Sequence, residues 1–297
     1  MIISTIFSPY GEVKRSVQEE EAMLLVAFGT SYPEAQAAFD DVEALYKKEL
    51  PNTEIRIAFT SDFIRQKIKK RDDVFVDNPV TGLARLNDEG YVNVVVQSLH
   101  VIPGEEYHDL MNIVGSFRSI AGKFSFRSLA LGTPLLTGIE DYRAVSAALG
   151  SQFDWITDSG RRAHESVRDP GETAVVLMGH GTGHPANSAY SQMANLLEMD
   201  YKNVFLGTVE GYPELDDVLE RVKASGAGRV RLMPFMVVAG DHATNDMAGD
   251  EPDSWKSIFE QEGFEVEVYL RGMGSNEAVV QIFMAHTRAA LGKPGET

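Results

Sequence analysis

The chain has 297 residues, 43% of them hydrophobic and 24% charged, a globular composition long enough for two domains that each bury a core. Its 27 basic and 44 acidic residues leave a net charge of −17, which repels phosphate backbones and argues against nucleic acid as a partner. There is no cysteine, so disulfides, iron–sulfur ligation, thiolate zinc sites and cysteine nucleophiles are excluded together.

Residues 1–21 read as an N-terminal extension. The opening Met1-Ile-Ile-Ser-Thr-Ile-Phe7 is apolar but short, and Pro9, Gly11 and the acidic Glu19 to Glu21 follow it. Without a basic leading region it does not read as a secretory signal. No segment reaches the ~18–20 apolar residues that span a bilayer. The expectation is a cytoplasmic protein with no membrane partner.

Beyond the extension, short β-branched runs bounded by Gly, Pro or polar turns predict strands at 23–28, 54–59, 92–99, 126–131, 174–178, 204–208, 230–236 and 265–270. Helical spacing lies between them. Residues 33–50 carry apolar positions at Ala37, Val42, Leu45 and Tyr46, and residues 213–224 put Leu215, Val218, Leu219 and Val222 on one stripe. Strands alternating with helices imply right-handed βαβ crossovers and parallel sheets.

The chain also repeats itself. Leu24-Leu-Val-Ala-Phe-Gly-Thr-Ser-Tyr-Pro matches Val176-Leu-Met-Gly-His-Gly-Thr-Gly-His-Pro, and Val101-Ile-Pro-Gly-Glu-Glu-Tyr-His-Asp-Leu-Met matches Val237-Val-Ala-Gly-Asp-His-Ala-Thr-Asn-Asp-Met. The predicted fold class is therefore α/β, with two similar domains that each hold a four-stranded parallel sheet flanked by helices. Their expected bounds are 22–150 and 172–297, joined by a polar linker at 151–171. The repeat also shows what differs between equivalent positions. Phe28 answers to His180 and Tyr32 to His184, while Glu106 answers to His242. Ligands of open α/β sheets bind at the carboxyl ends of strands, so both imidazole-bearing turns belong to one crevice between the halves.

Three residues there suit a metal. His180 stands in Gly179-His180-Gly181 directly after a strand, where the glycines let the chain bend and leave the ring exposed. Neutral imidazole serves as a metal ligand or proton acceptor, although a turn histidine can simply cap the next helix. His242, in Gly-Asp-His-Ala, follows another apolar strand. Glu210, at the Val-Glu-Gly-Tyr-Pro turn, becomes the third ligand if it faces the same crevice. Two imidazoles and a carboxylate suit Co²⁺, Fe²⁺, Ni²⁺ or Zn²⁺ and do not choose among them. Glu106 belongs on the opposite wall, either acting on substrate protons or simply solvated at a helix start. His100 and His184 are secondary candidates, and the basic run Arg65, Lys67, Lys69, Lys70, Arg71 is either a solvated face or a partner for an anionic substrate. Other chemistries lack their signatures. There is no Gly-x-Ser-x-Gly elbow and no phosphate loop, the dinucleotide fingerprint is incomplete, and no glutamate follows His180.

These segments, with Ala-Phe-Thr-Ser (58–61), Gln-Ser-Leu-His (97–100), Met-Gly-His-Gly (178–181), Val-Glu-Gly-Tyr-Pro-Glu (209–214) and the long run at 233–247, resemble the sirohydrochlorin cobaltochelatases of the anaerobic cobalamin pathway, the CbiK-like class II chelatases. The resemblance extends over roughly residues 22–290. It implies two similar α/β domains around a cleft, sirohydrochlorin and a divalent metal as partners, Co²⁺ as the substrate metal and no organic cofactor. The family's metal-site residues fall on His180, Glu210 and His242, and its cleft glutamate on Glu106; His180, His242 and Glu106 are thereby the expected catalytic residues. A ferrochelatase acting on sirohydrochlorin, a non-catalytic metal or tetrapyrrole carrier, and more remotely a metal-dependent hydrolase are the competing readings. Self-association into a homo-oligomer is compatible with the sequence.

Overall fold

A computed structural model of the chain describes residues 17–153 and 173–292. The expected extension falls mostly, and the expected linker almost wholly, outside these residues. The eight strands are β1 (Gln18–Ala27), β2 (Glu54–Phe59), β3 (Tyr91–Ser98), β4 (Ser128–Gly132), β5 (Thr173–Gly179), β6 (Val204–Thr208), β7 (Arg229–Pro234) and β8 (Glu265–Val268). Each predicted strand is present: 54–59 and 204–208 match end to end, and the others are shifted at one or both ends by a few residues. The largest shift is at β1, which starts at Gln18 because Gln18 pairs with Tyr91 across a bulge that precedes Glu21. The helices are α1 (Pro33–Glu49), α2 (Asp62–Asp72), α3 (Pro79–Asp88), α4 (Glu105–Arg118), α5 (Ile139–Phe153), α6 (Ser188–Asp200), α7 (Leu215–Ser225), α8 (Trp255–Gln261) and α9 (Glu277–Ala290). None is long and apolar enough to cross a membrane.

The strands form two parallel sheets of identical topology, β2-β1-β3-β4 and β6-β5-β7-β8. Both faces of the central strands are covered, as buried parallel sheets require. Along β1, Ala22, Leu24 and Val26 pack with residues of α3 and α4, while Met23, Leu25 and Ala27 face α1. Along β5, Ala174, Val176 and Met178 pack with α7 and α8, while Val175 and Leu177 face α6. These inner faces meet in one continuous core, to which α5 adds Val145 and Leu149, and α9 adds Val280, Phe283 and Met284.

Helix α9 follows the second sheet in sequence yet lies on the first. Buried Thr287 of α9 donates to Gln97 Oε1 of β3 (2.9 Å) and meets the Tyr46 hydroxyl of α1 at 3.0 Å. Gln97 Nε2 donates in turn to the carbonyls of Ser98 and Thr133. The side chains of Tyr46, Thr287 and Gln97 thus satisfy one another or a backbone carbonyl, which burial demands. From the second sheet's side, Tyr201 donates to the Ser146 carbonyl of α5 (2.8 Å), and Asn276 donates to that of Ala148 (3.1 Å). The carboxyl ends of β1, β3, β5, β6 and β7 open on one shared cavity of about 580 Å³.

Candidate metal centre

His180 leaves β5 and the chain then turns through Gly181 at φ +79°. Gly29, at the equivalent place in the first half, has φ +105°, so the repeat extends to backbone conformation. Gly181 also has no room for a side chain: a Cβ there would lie 2.6 Å from Gly211 N and 2.8 Å from Thr208 Cβ. This close approach seats the turn after β6 against the turn after β5. Glu210 N donates to the His180 carbonyl at 2.7 Å, which carries the Glu210 side chain beside the imidazole.

The third residue arrives from β7. Past Gly240, His242 opens a π-helical turn, Ala243–Met247, a local widening frequent at functional sites. The His180 and His242 rings meet edge to face, with centroids 4.6 Å apart at 90°. One ligand atom from each of His180, Glu210 and His242 falls within 4.8 Å of the others, a spacing one divalent ion can satisfy. All three line the cavity. Their side chains are partly exposed, at 41% for His180, 56% for Glu210 and 30% for His242, so an ion and a second substrate can both reach them.

Hydrogen bonds set the tautomers. The Gly181 carbonyl can only accept, so the 2.8 Å contact puts a proton on His180 Nδ1 and leaves the Nε2 lone pair for an ion. Asp246, one π-turn beyond His242, accepts from His242 Nδ1 at 2.7 Å and again leaves Nε2 unprotonated. A carboxylate behind a ligating imidazole orients the ring and raises its basicity. Asp246 escaped the sequence reading, although its four-residue spacing from His242 was a usable signal.

Glu106 sits in the first turn of α4 and lines the cavity outside the three-residue cluster. The secondary histidines have local partners. His184 Nδ1 accepts from Ala186 N (3.1 Å), which makes it the cap of a short 3₁₀ turn. Because that turn precedes α6, no helix begins at Thr182, whose N–H is taken by Asn187 Oδ1. His100 lines the cavity at the end of β3, where its Nδ1 lies 2.9 Å from Ser98 Oγ. Burial pushes this imidazole down to about 4, so it is neutral at ordinary pH.

One polar link crosses the cavity rim between the halves. The Tyr32 hydroxyl donates to Asp241 Oδ1 at 2.5 Å, and Asn245 donates to both groups at 3.2 Å. The Asp241 hydrogen bond, aided by burial, pushes the phenol pKa up and keeps it a donor. Of the basic run on α2, Arg65 pairs with Asp62, Lys69 with Asp73 and Arg71 with Asp72. Lys67 instead lines the cavity.

The family model described as cobalt chelatase (CbiK) matches residues 21–292. The sirohydrochlorin cobaltochelatase of Salmonella typhimurium is 36% identical over 273 residues, covering 92% of this chain and 97% of the relative. The sirohydrochlorin cobaltochelatase CbiKC of Nitratidesulfovibrio vulgaris is likewise 36% identical, over 276 residues, covering 92% of this chain and 91% of the relative. Among solved structures, SirB from Bacillus subtilis with Fe³⁺ superposes with a TM-score of 0.58 at 16% identity, covering 92% of this chain and 98% of that one. The sirohydrochlorin chelatase SirB from Bacillus subtilis subspecies spizizenii in complex with cobalt gives 0.55, also at 16%, covering 91% and 95%. At such identities these two speak for the fold alone. Matched almost from end to end by the family model and by relatives more than a third identical, the chain belongs to the cobalt chelatase (CbiK) family.

Proposed function

We propose that this chain inserts Co²⁺ into sirohydrochlorin as a step of anaerobic cobalamin biosynthesis, with His180, Glu210 and His242 holding the ion and the halves at 22–150 and 172–297 forming the walls of the cleft. The observation that carries this reading is the convergence of those three ligand atoms within 4.8 Å at the wall of a cavity of about 580 Å³. The lining is largely apolar, with Phe28, Phe63, Leu99, Ile102 and Met236 offering surface to a flat macrocycle.

Insertion replaces two pyrrole N–H protons by one metal ion, so two protons must be accepted. Neutral imidazoles first present Nε2 to Co²⁺, leaving coordination positions open toward the ring. As ring nitrogens take over the ion, His180 Nε2 is released and accepts one proton. The Glu106 carboxylate on the opposite wall takes the other. Both tasks need unprotonated imidazole, so activity falls in acid. We place the reaction in the cytoplasm.

The test mixes sirohydrochlorin and Co²⁺ with substoichiometric protein and follows the absorbance change. Multiple turnovers that disappear in His180→Ala and in His242→Ala support the reading. Stoichiometric binding without turnover would instead identify a carrier, and undiminished turnover in both variants would remove the two histidines from the site. Parallel assays with Fe²⁺ and Ni²⁺ measure the metal preference.

A further inference from the structure

We infer that Lys67 is the residue that takes a peripheral carboxylate of the tetrapyrrole, and so discriminates polycarboxylate rings from apolar ones; this rests on the substrate class proposed above. The cavity is lined by Glu105, Glu106, Glu210 and Asp241, but among the described residues by no lysine or arginine other than Lys67. Such an acidic surround attracts a divalent cation and repels an anionic macrocycle. The second substrate therefore needs a local counter-charge, and the cavity offers one candidate.

The sequence of α2 isolates that charge. Three of its other four bases are neutralised by aspartates within or just past the helix, and Lys70 is exposed away from the cavity. Positions 63, 64 and 67 share one helix face, and it is this face that lines the cavity. Among the described residues Lys67 has no carboxylate partner. Its ammonium instead lies 5.4 Å from the centroid of the Tyr32 ring. That ring is fixed from the other half by the Tyr32–Asp241 hydrogen bond. A cation resting on an aromatic face is directed without being neutralised, and it keeps its N–H donors for an incoming carboxylate.

The experiment measures steady-state insertion in full-length Lys67→Met, Lys67→Arg and wild-type protein, varying sirohydrochlorin and Co²⁺ separately. Equilibrium binding of metal-free sirohydrochlorin is followed alongside by its absorbance. For Lys67→Met, KM and Kd for sirohydrochlorin rise roughly tenfold, as loss of one charge-assisted hydrogen bond predicts. KM for Co²⁺ and kcat stay within about twofold of wild type, and Lys67→Arg recovers most of the binding. The wild-type Kd weakens with added salt more steeply than that of Lys67→Met. An unchanged Kd in Lys67→Met, or equal changes in the KM values of both substrates, overturns the assignment. The binding arm keeps the two proposals apart: a wild type that binds the ring but never turns over refutes the chelatase reaction, and Lys67 is still judged by its Kd.

Discussion

Replacing Asp246 by Asn tests whether the carboxylate behind His242 governs metal affinity. The side chain keeps its shape and loses its charge, so the 2.7 Å bond to His242 Nδ1 becomes a neutral contact at best. Removing such a partner costs about 10- to 100-fold in metal affinity when the pair is well buried. Here the side chains are 30% and 46% exposed, and water screens part of the interaction, which points to the low end. The expectation is a Co²⁺ affinity about tenfold weaker, or about 1.4 kcal/mol, in Asp246→Asn and in Asp246→Ala. Calorimetric titration with Co²⁺, checked against visible absorption of the bound ion, measures it. Thermal unfolding without metal should change little, because the pair is near the surface. If both variants bind Co²⁺ within about twofold of wild type, the tautomer and orientation of His242 do not depend on Asp246.

Two further outcomes follow from the same geometry. Gly181→Ala must accept φ +79° and a Cβ 2.6 Å from Gly211 N, so it loses about 1–3 kcal/mol in urea unfolding and weakens Co²⁺ binding by displacing Glu210. Gly183→Ala, with open space around its Cβ, serves as the control; equal effects of the two would show that the tight turn is immaterial. His100 supplies a pH signature. Its folded pKa of about 4 lies below the unfolded value of about 6.5, so the unfolded chain binds the proton first as pH falls. Its contribution to stability is intact above about pH 6.5 and declines toward about pH 4. Between about pH 7.5 and about pH 5 the wild type should lose about 2 kcal/mol that His100→Leu does not, measured by urea titration. Parallel pH profiles would contradict the buried neutral ring.

Much of this architecture could be read from residues alone because its causes are local. Runs such as 23–28 and 174–178 are apolar on both faces, as strands covered by helices must be, and the glycines after them announce sharp turns. Aligning the two halves singled out positions 180 and 242 by what they replace, Phe28 and Glu106. Other features depend on contacts that no local pattern encodes. The amphipathic stripe of α9 states that one face is buried but not that its cover is the first sheet. Tyr32 and Asp241 are far apart in sequence and meet only because the two sheets present their carboxyl ends to one space. Of the α2 bases, Lys67 could be told from its neighbours only once aspartates had claimed Arg65, Lys69 and Arg71 and the fold had left Lys70 away from the cavity. His184 shows the opposite outcome: spaced like a ligand from His180, it is occupied in holding its own turn.

The crossing of α9 bears on how the polypeptide acquires its shape during synthesis. Strand β3 and helix α1 are made early, yet Thr287 follows Gln97 by 190 residues and Tyr46 by 241, so these partners meet only late in synthesis. Until then Phe283 and Met284 leave a gap in the core they will fill. The first sheet is thus completed by a helix made after the second sheet, and a ribosome that stalls before α9 would release a product with an unfinished interior.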